Sequence, residues 1–108
     1  MQSKGGKNAM QDEFISKIGV YGQMHYRYLR ENKPSVVNVM RMKGTLRQYL
    51  EEVNANAEEV LAHLETEMAK NEGVTEALKR QDQMAWVQRK NNIRARAMEI
   101  VQREVIYV

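Results

Sequence analysis

A segment near the end of the chain, Asp82 to Val101, combines residue types that suit molecular recognition. It reads DQMAWVQRKNNIRARAMEIV and holds the only Trp, Trp86, and the amide pair Asn91-Asn92. Planar apolar, amide and guanidinium groups on one helix can stack on flat partners and bind phosphate. We interpret the segment as a binding surface for nucleic acid or a partner protein. Its cations, with one residue just beyond it, are Arg89, Lys90, Arg94, Arg96 and Arg103.

The spacing of these cations favours contact along a phosphate backbone. Arg89, Arg96 and Arg103 are seven residues apart, so one helix face presents all three. Arg27 and Arg30, nearer the N-terminus, extend the candidate nucleic-acid or partner-binding set. Base-stacking surface would come from the nearby tyrosines Tyr21, Tyr26 and Tyr28. The alternative is an ordinary solvated helix face.

An acidic face on the preceding helix offers a second binding mode. Five glutamates fall opposite its apolar stripe, where they could imitate the phosphates of a nucleic acid and bind the basic channel of a nuclease. The alternative is that they pair with the basic segments of the same protein. These residues are Glu51, Glu52, Glu58, Glu59 and Glu65.

The sequence lacks a recognisable catalytic or metal-binding motif. The two histidines, His25 and His63, are not four residues apart, as a zinc-protease pair requires. The three serines stand in no nucleophile motif, and the adjacent Gly5-Gly6 follow no strand. Cysteine is absent, which excludes thiol chemistry and cysteine-ligated zinc. We therefore predict that the protein is not an enzyme and that it has no cofactor and no metal.

Asp82 needs separate consideration, because it falls near the apolar stripe that contains Trp86 and Ile93. A buried carboxylate without a partner is costly, so we expect it to meet an arginine, a tyrosine hydroxyl or free backbone N–H groups. One interpretation is a polar network that fixes helix register. The other is a pocket, with Asn91 and Asn92, that recognises a ligand.

Composition and charge limit the domain organisation that the chain can have. A chain of 108 residues with net charge +3 suits one domain. Residues 1–13, polar and glycine-containing, are predicted to be a flexible arm, and residues 14–108 a single helical domain. The charge is segregated, at +6 over residues 1–49, −6 over 50–75 and +3 over 76–108. The absence of cysteine and of an N-terminal apolar run favours a cytoplasmic protein without membrane contact.

Two short helices are predicted in the N-terminal half. The first spans about residues 18–31, with Val20, Tyr21, Met24 and Tyr28 on its apolar stripe and His25 away from it. Pro34 ends that helix and opens a second, which runs to about Met42. The second helix is apolar nearly all round, so we expect it to be well buried. Lys43-Gly44 ends it.

Two long helices are predicted after Gly44. The third follows Thr45 and carries a heptad-like seam to Met68, with Asn54-Ala55-Asn56 as its weakest point. Gly73 ends it, and a fourth helix runs from Thr75 to about Glu104. The predicted fold is all-α, a three- to four-helix bundle built on a long antiparallel helical hairpin. The seam is also compatible with a homodimer.

Three blocks of the chain resemble the transposon-encoded TnpV type of small protein. The blocks are YGQMHYRYLREN from Tyr21, KGTLRQYLEEV from Lys43 and EGVTEALKRQDQMAWVQRKNNIRARAMEIV from Glu72. The resemblance covers the chain from about Val20 to its end. It implies a protein carried on mobile elements of Firmicutes that is not a transposase, and it supplies no catalytic residue.

The residues and the resemblance together predict a small, non-enzymatic binding protein of a mobile element. Its partner would be nucleic acid, either RNA or DNA, or a nucleic-acid-processing protein such as a host nuclease, which it would inhibit as an anti-CRISPR protein does. One alternative is an accessory DNA-binding factor for transposition or element transfer. The other is a structural helical dimer.

Overall fold

The chain folds into helices joined by short turns. The computed structural model describes residues 13–108, and in this range it contains five α-helices and no strand. A 3-10 turn at Glu13–Lys17 precedes the first α-helix, and a π-helical turn at Gln102–Ile106 follows the last. The α-helices are α1 (Val20–Asn32), α2 (Pro34–Lys43), α3 (Leu46–Asn71), α4 (Glu76–Gln81) and α5 (Gln83–Val101). The predicted all-α, bundle-like fold is confirmed. The predicted arm lies outside the described residues, apart from Glu13.

Proline and glycine set three of the helix boundaries, as predicted. Pro34 occupies the first turn of α2, where its missing N–H costs no intrahelical hydrogen bond. Gly44, with φ of 73°, ends α2, and Gly73, with φ of 71°, follows α3. Both adopt the left-handed conformation that glycine tolerates best.

The described chain divides into two compact units. The first ends at Ala55 and the second begins at Asn56, so α3 supplies residues to each. The prediction of a single domain over 14–108 stays a prediction. The core of the first unit consists of Ile18, Tyr26, Leu29, Val37, Leu46 and Leu50, with Phe14, Ile15, Tyr28, Met40 and Tyr49 packed against it.

The second unit has a core of small and branched side chains. Ala57 and Ala97 are completely buried, which allows close approach of helix backbones. The buried side chain of Ile106 shows that the C-terminal turn packs instead of fraying. The remaining buried apolar residues of this unit are Leu61, Val74, Ile93 and Val101.

Asn54 anchors the start of α1 within the first unit. Gly19, the residue before α1, has no side chain to cap the helix. The Oδ1 of Asn54 accepts hydrogen bonds from the backbone N–H groups of Tyr21 and Gly22 instead, at 3.0 Å each. These donors are among the N–H groups that a helix start leaves unpaired. Asn54, predicted as the weakest point of α3, is therefore a buried structural residue in a helix that continues past it.

His25 was predicted to lie away from the apolar stripe of α1, and this is wrong. Its side chain is only 1% exposed. A 2.7 Å hydrogen bond joins His25 Nε2 to the Tyr49 hydroxyl, and the rings of Tyr28 and Tyr49 pack against the imidazole. Burial is tolerated because the polar ring atom has a partner. Val20, in contrast, was predicted on the stripe and is exposed.

The prediction that α2 is well buried is also wrong. Val37 is its one buried residue, and Val36, Val39 and Met42 are exposed. Within the first unit α2 packs through the side that carries Val37, which belongs to the same core as Leu29 of α1 and Leu46 of α3. A helix that packs through one side leaves its opposite side exposed.

The predicted fourth helix is interrupted at Asp82, which separates α4 from α5. Asp82 has a non-helical backbone, with φ of −149° and ψ of 87°, and its carboxylate accepts a 3.1 Å hydrogen bond from the Ala85 N–H. Of the partners expected for Asp82, the backbone N–H is the one found. The expectation of burial is wrong, because the residue is exposed as the N-cap of α5.

Candidate nucleic-acid interface

Two capped helix starts position the cationic segment of the second unit. Thr75 caps α4 by accepting a 3.3 Å hydrogen bond from the Leu78 N–H, and Asp82 caps α5 in the same way. The non-helical backbone of Asp82 separates the two helices. Lys79 of α4 lies over the ring of Trp86 in α5.

Two ammonium groups lie over the ring of Trp86. Lys79 Nζ is 4.7 Å from the centroid of the indole ring, and Lys90 Nζ is 5.9 Å from it. Both distances are within the range at which the ring quadrupole attracts a cation. The indole itself is half-buried. This arrangement holds two positive charges beside an aromatic surface.

Two of the predicted binding cations are engaged within the protein. Arg94 donates a 2.8 Å hydrogen bond to Glu65. Arg96 forms a bidentate ion pair with Glu72 through two hydrogen bonds of 2.8 Å each. Arg96 also donates to the Asn92 amide oxygen at 2.8 Å. Glu65 of α3 and Glu72, which follows α3, therefore form ion pairs with two arginines of α5.

The ion pair with Arg96 changes the acidity of Glu72. The hydrogen bond from Arg96 and the nearby positive charges of Arg96 and Arg89 lower the pKa of Glu72, although partial desolvation opposes them. The same hydrogen bond raises the pKa of Arg96 above its usual value. Both groups therefore stay charged over a wide pH range.

The other predicted cations of the second unit make no strong ion pair within the described part of the chain. Arg89 is exposed, and its charge acts on a glutamate, Glu72, that Arg96 already neutralises. Lys90 is half-buried beside Trp86. Arg103 and Glu104 approach only to 3.9 Å as exposed chain neighbours, which is a weak pairing.

We call the following cluster the Trp86 patch. It combines one aromatic ring with four cations that make no ion pair within the described part of the chain. Exposed amides of Gln83, Gln88 and Asn91 lie on the same helix. The members of the patch are Lys79, Arg80, Trp86, Arg89 and Lys90.

The sequence interpretation missed Lys79 and Arg80. A signal for Lys79 was present, because it precedes Trp86 by seven residues, and residues seven apart share a helix face. Arg80 gave no such signal. It is exposed beside Lys79 in α4.

The predicted residues of the first unit form no comparable cluster. Arg27 and Arg30 are exposed on α1, and the Arg30 guanidinium is 5.5 Å from the ring of Tyr26. The Tyr26 hydroxyl accepts a 2.7 Å hydrogen bond from Arg41, and its ring is buried. Tyr21 is buried as well and Tyr28 half-buried. Tyr21 and Tyr26 therefore offer little surface for base stacking.

The predicted acidic face differs between the two units. In the first unit Glu51 pairs with Arg47 at 3.1 Å, and Glu52 accepts a 3.2 Å hydrogen bond from Gln48. In the second unit Glu65 is engaged by Arg94. Two members are exposed with neither an ion pair nor a side-chain hydrogen bond among residues 13–108, namely Glu58 and Glu59.

Two side chains considered for other chemistry have structural contacts instead. His25 is enclosed and hydrogen-bonded, and Asp82 is used as a helix cap. Residues 13–108 contain no group of three histidine, aspartate or glutamate side chains arranged to hold a metal ion. Over the same residues, no helix has the length and apolar character needed to cross a membrane.

The blocks that resemble a known family are largely structural in this fold. YGQMHYRYLREN supplies the N–H groups bound by Asn54 and the buried His25, and KGTLRQYLEEV supplies Tyr49. The third block supplies both helix caps and the Trp86 patch. Comparison with curated proteins and with solved structures gave no match. A family model described as transposon-encoded protein TnpV matches residues 8–106, so the chain belongs to the TnpV family of transposon-encoded proteins.

Proposed function

We propose that this transposon-encoded protein is a non-enzymatic nucleic-acid-binding protein that works in the bacterial cytoplasm through the Trp86 patch. The observation that carries the proposal is the placement of the Lys79 and Lys90 ammonium groups close to the ring of Trp86. The ammonium groups would bind phosphates of a strand. The indole would then stack on a base, which needs no particular sequence.

The difference in ion pairing between two groups of cations supports this proposed binding site. Arg94 and Arg96 are held by Glu65 and Glu72, so a ligand would have to break ion pairs to use them. The cations of the Trp86 patch make no ion pair with any residue from 13 to 108. Unpaired nucleotides are the expected target, because a base within a duplex is already stacked on its neighbours.

The proposal predicts a measurable salt dependence. If the four cations of the patch each neutralise one phosphate, the logarithm of the association constant for a single strand falls with the logarithm of salt concentration with a slope of about −3. Titrations of single-stranded DNA, single-stranded RNA and duplex DNA, followed by anisotropy of a labelled strand, measure it.

Charge reversal tests which residues are responsible. Arg89→Glu with Lys90→Glu should weaken binding strongly and lower the slope. Lys70→Glu is the matched control, since Lys70 is exposed in the same unit and outside the patch. If the control weakens binding as much as a single reversal at Arg89 does, the patch is not the interface.

A second candidate function is inhibition of a nucleic-acid enzyme, of the anti-CRISPR type. The favouring observation is that Glu58 and Glu59 are exposed and could mimic phosphates. In this case the protein would slow cleavage by a purified RNA-guided nuclease without binding nucleic acid itself. Glu58→Lys with Glu59→Lys should then abolish the inhibition, whereas the reversal at Arg89 and Lys90 should not.

A further inference from the structure

Helix α2 in the first unit carries an exposed apolar stripe. Val36 is 42% exposed, Val39 47% and Met42 86%, and the three residues are spaced by three. Single exposed apolar residues are ordinary on protein surfaces. Three on one side of a helix of 10 residues form a contiguous patch, which is typical of an interaction site.

A depression of about 280 Å³ lies at the C-terminal end of the same helix. Its apolar lining comes from Phe14, Met40 and Leu46, and the guanidinium-bearing side chains of Arg41 and Arg47 complete it together with Gly44. Gly44 has no neighbouring atom within 4 Å of the position a Cβ would take, so the depression is open on that side. Its volume suits one large side chain rather than a whole small molecule.

The segment that carries this surface has ionisable side chains of one sign. From Lys33 to Arg47 every ionisable side chain is basic, and the segment contains no aspartate or glutamate. Arg47 is paired with Glu51, and Arg41 donates to Tyr26. Lys43 is exposed at the edge of the stripe and has no ion pair in the described part of the chain. The surface is therefore complementary to an acidic ligand.

We propose that α2 is a docking site for an acidic amphipathic segment of a partner protein. The apolar residues of the segment would cover Val36, Val39 and Met42, one large side chain would enter the depression, and its carboxylates would face Lys43. A bilayer is a poorer fit, because an interfacial helix needs large apolar side chains, such as Trp, Phe or Leu, on its buried face. This site goes beyond the proposed function, since it lies in the first unit and binds protein.

The test uses synthetic helical peptides and the full-length protein. The probe is an acidic peptide with leucine and phenylalanine at helical spacing. Its comparators are a scrambled peptide of the same composition, a peptide with lysine in place of glutamate, and vesicles containing phosphatidylglycerol. Amide chemical shifts report where each probe binds. We expect saturable binding of the acidic peptide, with shifts confined to α2 and the residues lining the depression.

Variants decide whether the stripe is the site. Val39→Glu with Met42→Glu should weaken binding of the acidic peptide at least about tenfold, and Lys43→Glu should weaken it as well. Met84→Glu, at a residue 75% exposed in the second unit, is the control and should have no effect. The proposal is overturned if the scrambled or lysine peptide binds equally well. Binding of the vesicles in place of the acidic peptide would overturn it too.

Discussion

Arg96 and Glu72 form two hydrogen bonds of 2.8 Å each, which tie the middle of α5 to the residue that follows α3. The bidentate geometry fixes the orientation of the guanidinium plane relative to the carboxylate. The Nε of Arg96, which does not bind Glu72, donates a hydrogen bond to the amide oxygen of Asn92. A cation that the sequence suggested for phosphate binding is thereby a structural element of the second unit.

This ion pair makes stability depend on pH in a defined direction. The pKa of Glu72 is lowered in the folded protein, so its contribution to stability is present above the ordinary pKa of a glutamate and is lost as the pH falls through the lowered value. Thermal unfolding of the protein and of Glu72→Gln should differ most near neutral pH. The difference should shrink in acid.

The control for this experiment is Glu67→Gln, which alters an exposed glutamate for which the structure shows no ion pair within residues 13–108. Its effect on the unfolding temperature should be small at neutral pH. A difference between the protein and Glu72→Gln that stayed constant from neutral to acidic pH would show that the ion pair does not stabilise the fold.

Asn54 should be among the most sensitive polar positions of the first unit. Asn54→Ala leaves the N–H groups of Tyr21 and Gly22 without their acceptor in a buried place, which should cost about 1–3 kcal/mol of unfolding free energy. Denaturant titration measures the loss. Asn56→Ala, two residues along α3 and exposed, should cost well under half as much. Equal costs would contradict the capping role.

The hydrogen bond between His25 and Tyr49 should stabilise the first unit. Tyr49→Phe removes the hydroxyl and should cost about 1 kcal/mol. A double-mutant cycle with His25→Phe isolates the interaction between the two side chains, and additive costs would show that no interaction energy exists. Burial also raises the pKa of Tyr49, so its contribution is complete below the ordinary tyrosine pKa and is lost at higher pH.

Asp82 should be needed for the start of α5. Asp82→Ala removes the acceptor of the Ala85 N–H and should cost about 0.5–2 kcal/mol, whereas Asp82→Asn should retain most of the capping because its amide oxygen can accept the same bond. Hydrogen exchange at the first turn of α5 should accelerate in the alanine variant alone. Equal acceleration in both variants would indicate that the charge, not the acceptor, matters.

Local chemistry explains which parts of the fold could be predicted. Pro34, Gly44 and Gly73 act on the backbone next to them, so three helix boundaries followed directly from their positions. Asp82 also acts on the backbone next to it, as the N-cap of α5. Its position in the sequence is, however, equally compatible with the helical wheel of one continuous helix. The periodicity from Leu78 to Val101 concealed the interruption.

Burial of single residues depended on tertiary contacts that periodicity does not contain. His25 is enclosed because Tyr49, 24 residues away, supplies a hydrogen bond and ring contact. Val36 and Val39 are exposed because none of the described residues of the first unit covers that side of α2. Likewise, the helical wheel placed Arg96 and Arg89 on the same face. Arg96 differs from Arg89 because it forms an ion pair with Glu72, which follows another helix, α3, and a helical wheel of α5 does not contain that contact.

Trp86 emission tests the central claim most directly, because the only tryptophan of the chain lies within the proposed interface. Single-stranded RNA or DNA added at low salt should quench the emission saturably, with an affinity that falls steeply as salt rises. Duplex DNA should quench it less. The proposed function would be contradicted if a single strand left the emission unchanged, or if Arg89→Glu with Lys90→Glu bound as tightly as the unaltered protein.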